Sequence, residues 1–397
     1  MRKTVSLLLL AALAISCSTR RGTAATEGVS APRFADITLC YGGSLRKEPV
    51  RWTADRFAPS VTFQDAQGRE QWLFEAFLCL DAHEGVTGKG LGLNPDPNQH
   101  NGNKASWSYF LDYWMAPGGA LSALDAAVAQ AAARLGDPPR KRQVVMMMPD
   151  PVQFEVFADK ESPTIYWGDG LDFSRSEDQV KAYRWYIDQC RERFAALAPK
   201  YLELTGFYVL SEDLVARPDG LNYAYKRWDR ILPPVATYLH GLQYGFYWIP
   251  WNFAPGYDMK QELGFDEVWM QPNYYWDETG QKPLDKTVKA ILEHDISMEF
   301  ELEYSACTAV MKQPGMLAPD AGWQMTKTLA DVPAFRGRFR EYMTAFRSAG
   351  LYGRKPIALY SGYNTLWQLA RSEEPDDQAF YREICQYIVE SPLRTKE

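Results

Sequence analysis

The sequence predicts an α/β fold, a single (β/α)8 barrel of the TIM type with long βα-loops. Three observations carry this expectation. Eight short apolar runs recur along the 397 residues, helical stretches separate most of them, and long irregular connections follow three of the runs. Runs alternating with helices mark parallel strands joined by crossovers. A count of eight closes such a sheet into a barrel.

In chain order the strands are expected at Ile37–Tyr41, Leu73–Leu80, Val144–Met148 and Gly206–Leu210, then at Gly245–Ile249, Glu267–Met270, Ser297–Glu303 and Ile357–Tyr360. Helices are expected near Leu121–Leu135, Glu177–Leu197, Tyr223–Leu239, Leu284–His294, Val332–Ser348 and Gln378–Val389. The first of these is rich in Ala and stops at Gly136-Asp137-Pro138-Pro139, a strong propensity with a clean end. Tyr41-Gly42-Gly43-Ser44 lacks the GxGxxG spacing, which argues against a dinucleotide fold. The barrel is expected over residues 34–397. The long connections Asp81–Trp107, Pro149–Ser176 and Tyr304–Asp331 follow strands two, three and seven, on the face where barrel enzymes carry their sites.

Composition narrows the class of function. The chain is 46% hydrophobic and 23% charged with a net charge of −7, a globular profile. No block of Lys and Arg supplies the basic footprint that nucleic acid requires, so no nucleic-acid partner is expected.

Residues 1–16 read as a signal peptide. Arg2 and Lys3 precede an apolar run from Val5 to Ile15 that is too short for a permanent span. Ala14-Ile15-Ser16 before Cys17 resembles a bacterial lipobox, which makes Cys17 the lipidated first residue of the exported chain and 17–33 a small, polar tether. The alternative is an ordinary secretory peptide cut near Ala24. A lipid anchor would be the only membrane attachment, since no other stretch approaches a span. Ser18-Thr19-Arg20-Arg21 carries no acidic cluster, so the expected location is the outer membrane with the protein facing the periplasm. The other cysteines (Cys40, Cys79, Cys190, Cys307, Cys385) are odd in number and widely spaced, which suits small buried hydrophobes better than a disulfide framework.

The residues at the carboxyl ends of the strands are the informative ones. They are Asp81, Asp150, Glu212, Trp248, Trp251 and Asn252, then Gln271, Asn273, Tyr274, Tyr275 and Trp276, and after strand eight Tyr360, Tyr363 and Asn364. Carboxylates, amides and aromatic faces on one rim suit a carbohydrate, whose hydroxyls bond the first two and whose ring faces stack on the third. Strand seven reads Ser297-Met298-Glu299-Phe300-Glu301-Leu302-Glu303, with three glutamates on one face and three apolar side chains on the other. Parallel barrel strands are normally apolar on both faces. Inward carboxylates therefore need a reason, unless this is a wet antiparallel edge strand. Crowded carboxylates raise one another's pKa, which keeps an acid protonated near neutrality.

Glu212 after strand four and a glutamate on strand seven resemble the large barrel clan of retaining glycosidases, although that clan has Asn where this chain has Ser211. Glycoside hydrolysis needs two such groups, one to protonate the leaving oxygen and one to attack the anomeric carbon. The resemblance implies Glu212 as acid/base and Glu301 or Glu303 as nucleophile, with Glu301 favoured and Glu299 a supporting carboxylate. Trp248, Trp251, Asn273 and Tyr274 are expected to line the sugar site, together with Asp81, Asp150, Asn252, Gln271, Tyr275, Glu299, Tyr363 and Asn364. Other chemistries find no footing. The four histidines form no HxH or HExxH pair, no GxSxG elbow or P-loop occurs, and neither metal nor cofactor is expected.

Further segments are similar to the bacterial family known as domain of unknown function 4855: Ala35–Gly43, Gly206-Phe207-Tyr208 with Glu212, Tyr247–Pro250, Gly264-Phe265-Asp266, Gln271-Pro272-Asn273-Tyr274 and Glu299-Phe300-Glu301. That resemblance implies a secreted or lipid-anchored barrel with a carbohydrate role and supplies no reaction. The expectation is therefore a cell-envelope lipoprotein that hydrolyses glycosidic bonds in an oligo- or polysaccharide. The alternatives are a non-catalytic glycan-binding lipoprotein on a degenerate barrel and an envelope scaffold without a sugar ligand.

Overall fold

The computed structural model describes residues 33–42, 51–92, 102–151, 167–214, 227–313, 327–362 and 365–394. Cys17 and the signal peptide, Tyr363 and Asn364 lie outside them. Eight parallel strands form a closed barrel: β1 Asp36–Tyr41, β2 Ala76–Leu80, β3 Arg142–Met148, β4 Leu202–Val209, β5 Gly245–Trp248, β6 Glu267–Met270, β7 Ser297–Glu301 and β8 Ile357–Tyr360. Each strand pairs with the next, and closure comes from β1 against β8, with Asp36 opposite Ile357. As expected, β2 pairs in parallel with both β1 (Ile37 opposite Ala76) and β3 (Phe77 opposite Val144). The helices are α1 Ala54–Val61, α2 Lys104–Met115, α3 Ala120–Leu135, α4 Ser176–Leu197, α5 Trp228–Gly241 and α6 Lys260–Leu263, followed by α7 Leu284–His294, α8 Thr308–Lys312, α9 Val332–Ser348, α10 Thr365–Arg371 and α11 Pro375–Val389.

Two departures have local causes. Leu73 and Phe74 donate their N–H groups to Val61 and Ser60 carbonyls, so β2 starts only at Ala76. Ahead of it lies an unanticipated antiparallel hairpin, Thr62–Gln64 with Glu70–Trp72. Its turn is built by Asp65 Oδ1, which accepts the N–H groups of Gln67 and Arg69 at 2.9 Å, and by Gly68 at φ +75. The second departure is in β4, where Val144 and Val145 face Leu204 and Gly206, leaving Thr205 as an extra residue. Such a bulge re-aims the rest of the strand, here the part that leads to Tyr208 and Glu212.

The barrel is packed, not hollow. Phe34, Tyr247 and Trp269 fill its amino-terminal end with ring centroids 5.5 to 6.2 Å apart. Tyr247 fits because two neighbours are glycine. A Cβ on Gly206 would lie 2.4 Å from its ring, and one on Gly245 would lie 2.2 Å from its hydroxyl. Outside, Phe300 packs on Phe339 and Phe346 of α9 and Tyr387 of α11. Cys40 and Cys79 face each other across β1 and β2 yet remain buried free thiols, as do Cys190, Cys307 and Cys385.

At the barrel base Arg394, after α11, reaches fully buried Asp36 at 2.7 Å and also donates to the Leu73 carbonyl at 2.6 Å. Asp36 in turn accepts the N–H of Glu75 at 2.8 Å. This pair latches the end of the chain to the first strand. Removing one partner of a buried pair strands the other charge. Arg394→Met should therefore lower unfolding stability by about 3 kcal/mol in urea titration, and a loss below about 0.5 kcal/mol, the scale of an exposed pair, would refute the latch.

Candidate active site

The carboxyl ends of the strands surround a cavity of about 290 Å³. Glu212, following β4, and Glu299, within β7, both line it. Tyr41, Tyr208, Trp251, Trp276 and Tyr360 supply aromatic walls, while Gln271, Asn273 and Lys282 supply polar groups. Tyr41 and Trp276 each meet the Tyr360 ring edge-on, at 5.8 and 5.9 Å.

The segment after β6 joins the two acidic elements. Gln271 Nε2 donates to Glu212 Oε1 at 2.9 Å. Gln271 Oε1 accepts from Asn273 Nδ2 at 3.3 Å, and the same Nδ2 lies 3.1 Å from Glu301 Oε1. The Asn273 backbone N–H also donates to Glu301 Oε1, at 2.8 Å. Both donors reach one oxygen because Asn273 adopts φ +51, a left-handed conformation that Asn tolerates better than most residues. Tyr342 of α9 donates its hydroxyl to Glu301 Oε2.

Although alternation puts both on one face, the hydrogen bonds from Asn273 and Tyr342 give the two glutamates of β7 different surroundings. Glu301 is fully buried, has both oxygens engaged and does not line the cavity. Its carboxyl is raised from 4.5 to about 7 by burial, against the lowering effect of Tyr342 and Asn273. Glu299 is 3% exposed, and its Oε1 finds no hydrogen-bond partner among the described residues. Burial first, then repulsion from Glu301 and Glu212, holds its carboxyl well above the usual range, which favours the protonated form.

The sequence favoured Glu301 as the nucleophile; the structure encloses it and turns Glu299 to the cavity instead. Glu303 begins the turn after β7 and accepts from the Tyr360 hydroxyl at 2.7 Å, with Gly362 packed against it. Of the expected sugar-site residues, Trp251, Gln271, Asn273 and Glu299 line the cavity. Trp248 does not. It is fully buried, stacked on Phe265, with its indole N–H on the Ser211 carbonyl at 2.6 Å. Tyr275 is also core, its hydroxyl on Ser305 at 3.0 Å. Tyr274 bonds Glu341 of α9, and Asn252 bonds Thr287 of α7 at 3.2 Å. Asp81 folds onto its own loop, accepting the Ala82 N–H at 2.7 Å, and Asp150 packs beneath Gly92, where a Cβ would clash at 2.0 Å. These side chains shape the rim from outside the cavity.

Tyr41, Tyr208, Tyr342 and Lys282 were not anticipated. Tyr41 ends β1 and the strand-end rule reaches it, whereas nothing local marks Tyr342 or Lys282. No set of three His, Cys, Asp or Glu side chains gathers as metal ligands among the described residues, and no helix there is long and apolar enough to cross a membrane.

Fold and site define the class: a TIM-type barrel with a carboxylate- and aromatic-lined cavity at the carboxyl ends of its strands. The chain belongs to the DUF4855 family, a domain of unknown function, which matches residues 36–315. No curated protein matches it. Similar solved structures include an Xaa-Pro dipeptidase with bound methionine, at 10% identity over 90% of this chain and 75% of that one with a TM-score of 0.30. The YdhT protein from Bacillus subtilis is 9% identical over 89% of this chain and 86% of its own, with a TM-score of 0.36. Likeness at this level says nothing about chemistry.

A buried carboxyl raised above its unfolded value binds a proton more tightly in the folded state, so its contribution is full below about pH 4.5 and lost as pH rises through about 7. Thermal unfolding scans should show the melting temperature falling between pH 5 and 8, and Glu301→Gln should flatten that slope. An unchanged slope would mean that Glu301 titrates normally.

Proposed function

We propose that this protein is an exported, lipid-anchored glycoside hydrolase acting on an oligo- or polysaccharide. The observation that carries the reading is the shared cavity: Glu212 and Glu299 line one space together with Trp251, Trp276 and three tyrosines. Two carboxyl groups in different environments are what hydrolysis of a glycosidic bond uses, and aromatic faces are what hold a sugar ring.

Burial assigns the roles. Glu299, protonated, gives its proton to the glycosidic oxygen as the bond from that oxygen to the anomeric carbon breaks. Glu212, ionised, forms a new C–O bond to the same carbon. Water then cleaves this ester while Glu299, now a carboxylate, takes the water's proton. This exchanges the roles expected from strand order, because the more deeply buried group keeps its proton. Glu301 acts through Asn273, which it fixes by two hydrogen bonds.

With an oligosaccharide identified from a glycan panel, Glu212→Gln and Glu299→Gln should each lower turnover about 10²- to 10⁴-fold, the usual worth of such groups, while binding persists. Wild-type turnover in both variants would sink the hydrolase reading. Binding by the wild type with no turnover would replace it with the glycan-binding alternative. The anchor rests on the lipobox-like sequence alone: Cys17→Ala should stop fatty-acid labelling and release the protein from the membrane fraction, and continued labelling would refute it.

A further inference from the structure

We infer that the cavity recognises a glycan bearing an anionic substituent, through Lys282; this rests on the carbohydrate reading above. Lys282 is the only cationic side chain that lines the cavity among the described residues. Its ammonium lies 4.7 Å from the centre of the Trp251 ring and 3.4 Å from Asn273 Oδ1. Among the described residues, no carboxylate lies within ion-pair distance of it. Other lysines drawn in from solvent do have one: Lys260 pairs with Glu267 at 3.2 Å and Lys355 with Asp295 at 2.9 Å. Lys282 is thus a half-buried ammonium beside a neutral amide oxygen and an indole face, with no directly paired carboxylate among the described residues.

Two features suit it to a ligand. Trp251 is 50% exposed, so ring surface not covered by the ammonium is open to an incoming sugar. The position of Lys282 is also built: Asp277 accepts its backbone N–H and that of Thr279, closing the turn that returns the chain to the cavity. The glutamates oppose an anion less than their number suggests. Burial favours the protonated form of Glu299, Glu301 is enclosed by Asn273 and Tyr342, and Glu212 is held by Gln271. A sugar stacked on Trp251 would bring a ring carboxylate or a sulfate ester against Lys282, forming a charge-assisted hydrogen bond.

The test is calorimetric binding of the full-length protein to three probes of one backbone: oligogalacturonates, sulfated galacto-oligosaccharides and uncharged galacto-oligosaccharides. At least one charged probe should bind more tightly than the neutral one, and its affinity should fall with added salt. The two charged arms tell carboxylate from sulfate. Lys282→Met should weaken the charged probe about ten- to a hundredfold, the range for a lost hydrogen bond to a charged group, and leave the neutral probe unchanged; Lys282→Arg should restore most of the loss. Equal affinity for charged and neutral probes, no binding to any of them, or no effect of Lys282→Met would overturn the inference. Failure of the hydrolase reading looks different: charge-selective binding would persist without turnover.

Discussion

The amide bridge from Gln271 to Asn273 is the constraint on which the site depends. One end holds Glu212, which follows β4; the other holds Glu301 at the end of β7. Direct contact between the two groups would fail whenever both are ionised, because two carboxylates repel and neither can donate. Two side-chain amides in series solve the problem: Gln271 donates to Glu212 and accepts from Asn273, whose Nδ2 also donates to Glu301. The segment Gln271-Pro272-Asn273 also fixes direction. Pro272 restricts the chain between the two amides, and the left-handed backbone at Asn273 aims two donors at one oxygen.

That arrangement opposes folding at the same time as it organises the site. Glu299 is buried with an oxygen that no group in the described residues satisfies, and burying an unsatisfied polar atom costs free energy. The strain is local. The aromatic filling of the barrel base and the Asp36–Arg394 latch lie at the other end of the strands, and Phe300 anchors β7 to α9 and α11 through its other face. The stabilising contacts and the candidate site thus occupy opposite ends of the barrel and opposite faces of one strand, a division that this architecture permits.

The fold was legible because its signals are local and repeat: eight apolar runs, separating helices and a clean stop at Gly136. The limits of β2 were not, since Leu73 and Phe74 look like strand residues and only the hairpin before them diverts their hydrogen bonds. For the site, alternation correctly separated Glu299 from Phe300 and identified β7 as the unusual strand. It could not rank the glutamates, because the ranking depends on Tyr342, which lies 41 residues further on. The strand-end rule also failed to distinguish Trp251 from Trp248. The last residue of β5 turns outward onto Phe265, whereas Trp251 emerges from the loop beyond it. Periodicity reads the strand and falls silent where the strand ends, and that is where most of the cavity wall is made.

The serine at position 211, where the resembling glycosidases carry asparagine, fits within this framework. The backbone that carries Glu212 is fixed independently of the side chain at 211. The Ser211 carbonyl accepts the indole N–H of Trp248 at 2.6 Å, and the Glu212 carbonyl accepts the Trp251 N–H at 3.0 Å. These bonds tie the ends of β4 and β5 together on both sides of the carboxylate, and neither uses the side chain at 211. A change of side chain there leaves the placement of Glu212 intact. Ser211 itself is buried and does not line the cavity, so the exchange leaves the cavity wall unchanged.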